Sequence, residues 1–139
     1  FFALNEALKF VQEEGMTRRI KRHEICARAF YSAFEAIGLK IFTATEDRSH
    51  TVLGVLYPQG IDDTKFRIML SERFGILIAG GFGTMKGSMF RVGSMGMINE
   101  TLVTVTLNSI VQCLNHFGYR CDSTAALSSA WNVLNELRA

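Results

Sequence analysis

Residues 79–96 read AGGFGTMKGSMFRVGSMG. They hold six of the chain's twelve glycines and one arginine, Arg91. No Asp or Glu lies between Phe74 and Asn99, so this stretch supplies positive charge through Lys86 and Arg91 without a local counter-ion. In Met89-Phe90-Arg91-Val92-Gly93 a period of two puts Phe90 and Val92 on one face and Arg91, with Met89 and Gly93, on the other. A planar guanidinium projecting beside glycine is suited to a carboxylate or phosphate, gripped through two parallel hydrogen bonds. The residues alone leave two other fates open. A distant acid, Glu35 or Asp63, can fold back to pair with Arg91, or its head can simply reach water.

Other chemical patterns fall short of their templates. Gly80 to Lys86 lacks the spacing of a phosphate-cradling GxxxxGK[ST] loop, and its glycines do not fit GxGxxG. Gly93-Ser94-Met95-Gly96 is one residue short of GxSxG, which leaves Ser94 to turn chemistry rather than nucleophilic attack. His23-Glu24 begins an HExxH pattern that ends in Ala27, while His50 and His116 stand alone, so no metal site is expected. Arg18, Arg19, Lys21 and Arg22 interleave with an apolar helix face and read as its solvated side. Asn99-Glu100-Thr101 fits a glycosylation sequon but is better explained as a helix cap.

Positioning these residues requires a scaffold, and 139 residues with 48% hydrophobic and 20% charged content describe one globular domain with a real core. A net charge of +2 on a chain of mixed signs gives no footprint for nucleic acid or an anionic membrane. The three cysteines, Cys26, Cys113 and Cys121, are odd in number and lack CxxC spacing, so they read as reduced intracellular thiols. No apolar run approaches a membrane span, and a soluble, cytoplasmic protein is expected.

Helical spacing at Leu4, Ala7, Leu8 and Val11, stopped at Gly15, predicts a first helix, and the absence of Met at Phe1 leads us to expect a piece of a longer protein. Met16 to Ile37 forms a long amphipathic helix with Met16, Ile20, His23, Ala27, Phe30, Phe34 and Ile37 aligned, ended by Gly38. Strands are predicted at Lys40–Thr43, Thr51–Tyr57, Ile76–Ala79 and Met89–Val92. Asp62 caps a helix to Phe74 carrying Phe66, Met69 and Leu70, and Gly75 ends it. Asn99 caps a helix through Gly118 with Leu102, Thr106, Ile110, Leu114 and Phe117 aligned. Ser123 caps the last, which carries Leu127, Trp131 and Leu134. The expected fold is therefore α+β, a small sheet of about four strands covered by helices, with the last two strands joined by the glycine loop Gly80–Gly87.

These residues together resemble a known family. Phe74-Gly75-Ile76, Ala79-Gly80-Gly81-Phe82-Gly83, Gly87, Phe90-Arg91-Val92-Gly93 and Met95-Gly96 are similar to the end of class V aminotransferases of the alanine–glyoxylate and serine–pyruvate type. Glu6-Ala7-Leu8, Glu13-Glu14-Gly15, Arg22-His23 and the run from Thr51 through Val55, Pro58 and Gly60 to Asp62 agree with it. The resemblance implies residues 1–15 as the end of an inter-domain helix and 16–139 as the C-terminal small domain of a fold-type I enzyme. It implies a homodimeric aminotransferase using pyridoxal 5'-phosphate, acting on a small amino acid and a 2-oxo acid such as pyruvate or glyoxylate; the alternative is a free-standing α+β small-molecule-binding or regulatory module without catalysis. The cofactor lysine, the aspartate facing the pyridine nitrogen and the phosphate cup would all lie in an absent large domain. Lys9, Lys21, Lys40, Lys65 and Lys86 do not stand at the cofactor position. Arg91 would bind the substrate α-carboxylate, with Gly80, Gly81, Gly83 and Gly93 shaping the active-site loop. Ser94 departs from the family's usual His. On this reading Phe1, Phe2 and Leu4 face solvent in the isolated chain.

Overall fold

The computed structural model describes residues 1–138. Five helices, α1 (Phe2–Glu14), α2 (Met16–Ala36), α3 (Asp63–Phe74), α4 (Glu100–His116) and α5 (Ser123–Leu134), accompany three strands, β1 (Val52–Leu56), β2 (Ala79–Gly80) and β3 (Met89–Gly93). The strands form one antiparallel sheet in the order β1-β3-β2, which makes the arginine-bearing strand the central one. This is the expected α+β architecture with one strand fewer.

The missing strand and the shifted one have local causes. Lys40–Thr43 contributes only a bridge between Ile41 and Val55, although Leu56 donates to the Lys40 carbonyl and Phe42 to the Gly54 carbonyl. The strand expected at Ile76–Ala79 shrinks to Ala79–Gly80 because the end of α3 claims the backbone before it. Gly75 adopts a left-handed conformation at φ 66°, its amide donates to Ser71 and the Ile76 amide donates to Leu70.

The starts of α3, α4 and α5 follow cap chemistry. Asp62 accepts from the Lys65 amide and Asn99 from the Leu102 amide, as expected. The last helix differs by one residue. Asp122, not Ser123, is its cap and accepts from the Thr124 amide.

The core lies between the helices and one sheet face. Leu53, Val55, Phe90 and Val92 meet Phe30 and Phe34 of α2, Phe66 and Leu70 of α3, and Val103, Leu107, Ile110 and Leu114 of α4. Phe90 packs edge-on against Phe34 at 6.0 Å and beside Phe66 at 5.7 Å. Two expected stripes are corrected here. Met16 and Ile20 of α2 are exposed because that helix extends beyond the core at its N-terminal end, and in α4 the inward residues are Val103 and Leu107 rather than Leu102 and Thr106. Small residues, Ala29, Ala33, Ala126 and Ala130, are buried on α2 and α5, the helix pair with the most extensive mutual contact. The helix α1 buries no residue; Phe1, Phe2, Leu4, Leu8 and Phe10 are all exposed.

Candidate functional site

Arg91 sits on the sheet face that the helices leave uncovered. Its cross-strand partners are Gly54 on β1 and Ala79 on β2, so neither neighbour raises a large side chain beside it. The side chain is half-buried. Its Nε donates to the Gly80 carbonyl at 2.9 Å, and the guanidinium carbon lies 5.0 Å over the ring of Phe82. The two terminal nitrogens make no hydrogen bond among the described residues, which leaves the planar fork available. It opens into a pocket of about 440 Å³ lined also by Phe42, Val52, Gly54, Phe82, Met85 and Met89.

Neither acid weighed from sequence pairs with Arg91. Glu35 is bound to Arg48, and Asp63 is engaged by both nitrogens of the Arg67 fork and by the Tyr57 hydroxyl. Six arginines, Arg19, Arg22, Arg28, Arg48, Arg67 and Arg138, reach a carboxylate. Of the other four, Arg18, Arg73 and Arg120 are exposed to water. Arg91 alone is a half-buried arginine with no carboxylate among the described residues.

The glycines around it serve distinct ends. Gly81 is obligatory, since a Cβ there would stand 2.1 Å from the Met85 carbonyl oxygen. Gly83, at φ 57°, opens the 3₁₀ turn Gly83–Met85 that carries the loop under Phe82. Gly80 belongs to β2 rather than the loop, and Gly93 closes β3, where a Cβ would touch only the Met95 terminal methyl at 4.0 Å.

A second constellation joins the helix junction to the segment after β3. Glu14 accepts from both Arg19 and Arg22, and Arg22 also donates to the carbonyls of Gly96 and Ile98. His23 Nε2 lies 3.2 Å from the Gly96 carbonyl. These arginines, Arg22 foremost, hold Glu14 below the usual carboxylate range. Sequence reasoning took the basic cluster as a solvated helix face; only Arg18 and Lys21 are exposed, while Arg19 and Arg22 are largely enclosed. No spacing rule links position 22 to positions 96 and 98.

The remaining chemistry-bearing residues are quiet. Burial pushes the Cys26 and Cys113 thiols up to about 11, which keeps them protonated. Ser94 is fully buried; its amide donates to Thr51 and its hydroxyl makes no hydrogen bond in the structure. All five lysines are exposed, and none lines the Arg91 pocket. Among the described residues no three His, Cys, Asp or Glu side chains cluster as a metal site, and no helix is long and apolar enough to cross a membrane.

No family model matches the chain. An uncharacterized aminotransferase of Methanocaldococcus jannaschii is 42% identical over 118 residues, 85% of this chain and 31% of that protein. A soluble hydrogenase small subunit of Synechococcus sp. is 31% identical over 97% of this chain and 35% of its own length. The crystal structure of ureidoglycine–glyoxylate aminotransferase from Bacillus subtilis superposes with a TM-score of 0.91 at 32% identity, covering 96% of this chain and 35% of that one. The chain thus spans about a third of the length of the relatives it matches, and the part matched is their C-terminal part.

Proposed function

We propose that this chain, a homologue of the C-terminal part of the class V alanine–glyoxylate and serine–glyoxylate aminotransferases, orients substrate in a pyridoxal-phosphate-dependent transaminase. The whole enzyme moves an amino group between a small amino acid, alanine or serine, and a 2-oxo acid, pyruvate or glyoxylate. Residues 1–15 are the end of a helix leading from a larger domain, and 16–139 are the small domain; an α1 that buries nothing within the chain supports this division. The same reading makes the enzyme a cytoplasmic homodimer.

The cofactor supplies the electron sink of transamination. This chain's residues do not fit it, because every lysine is exposed and none shares the Arg91 pocket. Its holding falls to the part of the relatives that this chain does not span, and the contribution left here is recognition of the substrate's carboxylate.

The observation that carries the reading is the half-buried, carboxylate-free Arg91 with its two terminal nitrogens unengaged. Gly80 fixes the Nε edge of the guanidinium and Phe82 supports its face, so the opposite edge presents a bidentate donor pair to a carboxylate. Holding the carboxylate at one end fixes the direction of the substrate's Cα bonds, which is the positioning that transamination needs.

Arg91→Lys in the full-length protein tests this, since Lys keeps the charge and loses the fork. Loss of a charge-assisted bidentate pair worth roughly 2–4 kcal/mol should lower kcat/KM for alanine by about 30- to 1,000-fold with cofactor content unchanged. A fall below threefold, or loss of pyridoxal phosphate from the variant, would overturn the assignment.

A further inference from the structure

The carbonyl that anchors Arg91 is itself seated by a charged pair on a different element. A Cβ on Gly80 would stand 3.1 and 3.2 Å from the two Asp63 carboxylate oxygens and 3.2 Å from Arg67 Nε. Gly80 therefore lies flat against the Asp63–Arg67 pair at the start of α3, so close that a side chain there would require the pair to shift. The pair is firmly built. Arg67 Nε and Nη2 donate to the two carboxylate oxygens at 3.0 and 2.9 Å, and the Tyr57 hydroxyl donates to one of them at 2.9 Å. Tyr57 is wedged in turn against Phe66 at 5.4 Å and Phe90 at 5.2 Å, inside the aromatic core.

We infer that Asp63 is a positioning residue for substrate carboxylate recognition: with Arg67 and Tyr57 it fixes the Gly80 backbone, and through the Gly80 carbonyl it sets the orientation of the Arg91 guanidinium. This rests on the proposed role of Arg91. The chain of contact runs from the core through Tyr57 to the carboxylate, from the carboxylate to Gly80, and from Gly80 to Arg91 Nε. The strand carrying Gly80 is only two residues long, so its own ladder to β3 gives that carbonyl little restraint. The charged pair supplies the restraint that the short strand lacks. It also accounts for glycine at position 80, whose backbone needs no positive φ but does need this close approach.

A double-mutant cycle in the full-length protein tests the inference, with alanine as amino donor and glyoxylate as acceptor. Asp63→Asn keeps the shape and removes the charge that holds Arg67. It should raise KM for alanine by about 5- to 20-fold while kcat per active site changes less than about threefold. In the Arg91→Lys background the same substitution should change KM by less than about twofold, because the group it positions is gone. An equal effect in both backgrounds, or an unchanged KM with only a lowered melting temperature, would overturn the inference and assign Asp63 a purely structural part. If Asp63→Asn does not fold, Gly80→Ala, whose methyl group forces the carboxylate and Arg67 to shift, is read in the same cycle; an unchanged KM for it is equally fatal. Arg91→Lys by itself reports on the role of Arg91, so failure of that reading shows separately from failure of this one.

Discussion

The two faces of the sheet are built from alternate residues of the same strands and have opposite fates. Leu53, Val55, Phe90 and Val92 are at most 3% exposed and face the helices. One residue away, Val52 is 38% exposed, Gly54 and Arg91 are half-buried and Gly93 is exposed. Packing against the helices sets the identity of the first group; on the second face Met89, at 5% exposed, is buried as well, but against Gly54 and beside the Arg91 pocket. Stability and recognition are thus interleaved at single-residue spacing, and substitutions along β3 should alternate in what they damage.

The sharpest way to break this contrast is Phe90→Ala. Phe90 touches Phe34, Phe66 and Tyr57, and its truncation should cost about 3–5 kcal/mol of stability, read as a large fall in melting temperature. A loss below about 1 kcal/mol would mean that the covered face is not where the fold's stability resides.

A smaller effect should come from acid. The Arg67 fork, opposed in part by burial and aided by the Tyr57 hydroxyl, holds Asp63 below the usual carboxylate range, and Arg22 does the same for Glu14. Because the folded-state pKa lies below the unfolded one, each group's contribution is present above the unfolded value and is lost as pH falls through the folded value. Stability should therefore decline on acidification below the ordinary carboxylate range, and Asp63→Asn should flatten part of that decline. An Asp63→Asn melting profile parallel to the parent's across that range would show that the pair contributes nothing.

The smallest effect is expected from Gly54→Ala, directly opposite Arg91 on the uncovered face. The new methyl would meet the Met89 terminal methyl at 2.6 Å and the Phe42 Cβ at 3.3 Å. Met89 ends in a flexible thioether that can swing aside, so the stability change should stay within about 1 kcal/mol. A Phe90-sized loss here would erase the distinction between the faces.

Much of this was legible because it is local. Asp62 and Asn99 cap helices through side-chain oxygens three residues from their amide partners, and the alternation in Met89–Gly93 sorted Phe90 and Val92 inward from Arg91. The expected strand at Ile76 failed because the closing turn of α3 uses that amide, a competition that propensity does not register. Asp63, a candidate partner for Arg91 from sequence, instead lies against Gly80 and binds Arg67 four residues along its own helix. Nothing in the spacing of positions 57, 63, 80 and 91 announces their meeting; only the fold brings them together. The enclosure of Arg22 was hidden for the same reason, since its carbonyl partners, Gly96 and Ile98, lie more than seventy residues away.

The position of β3 between a five-residue neighbour and a two-residue one has a consequence for motion. On the β1 side, five register pairs and the flanking Ser94-to-Thr51 bond bind the backbone of Arg91 into a unit that opens only with much of the domain. On the β2 side there are two register pairs, extended by the Gly81-to-Met89 bond, and local opening there costs far less. The main chain of Arg91 and the carbonyl that steers its side chain thus belong to different cooperative units. What keeps that short edge from fraying is therefore side-chain contact from α3 rather than its own ladder, so the cation's steadiness depends on an element to which its strand is not hydrogen-bonded.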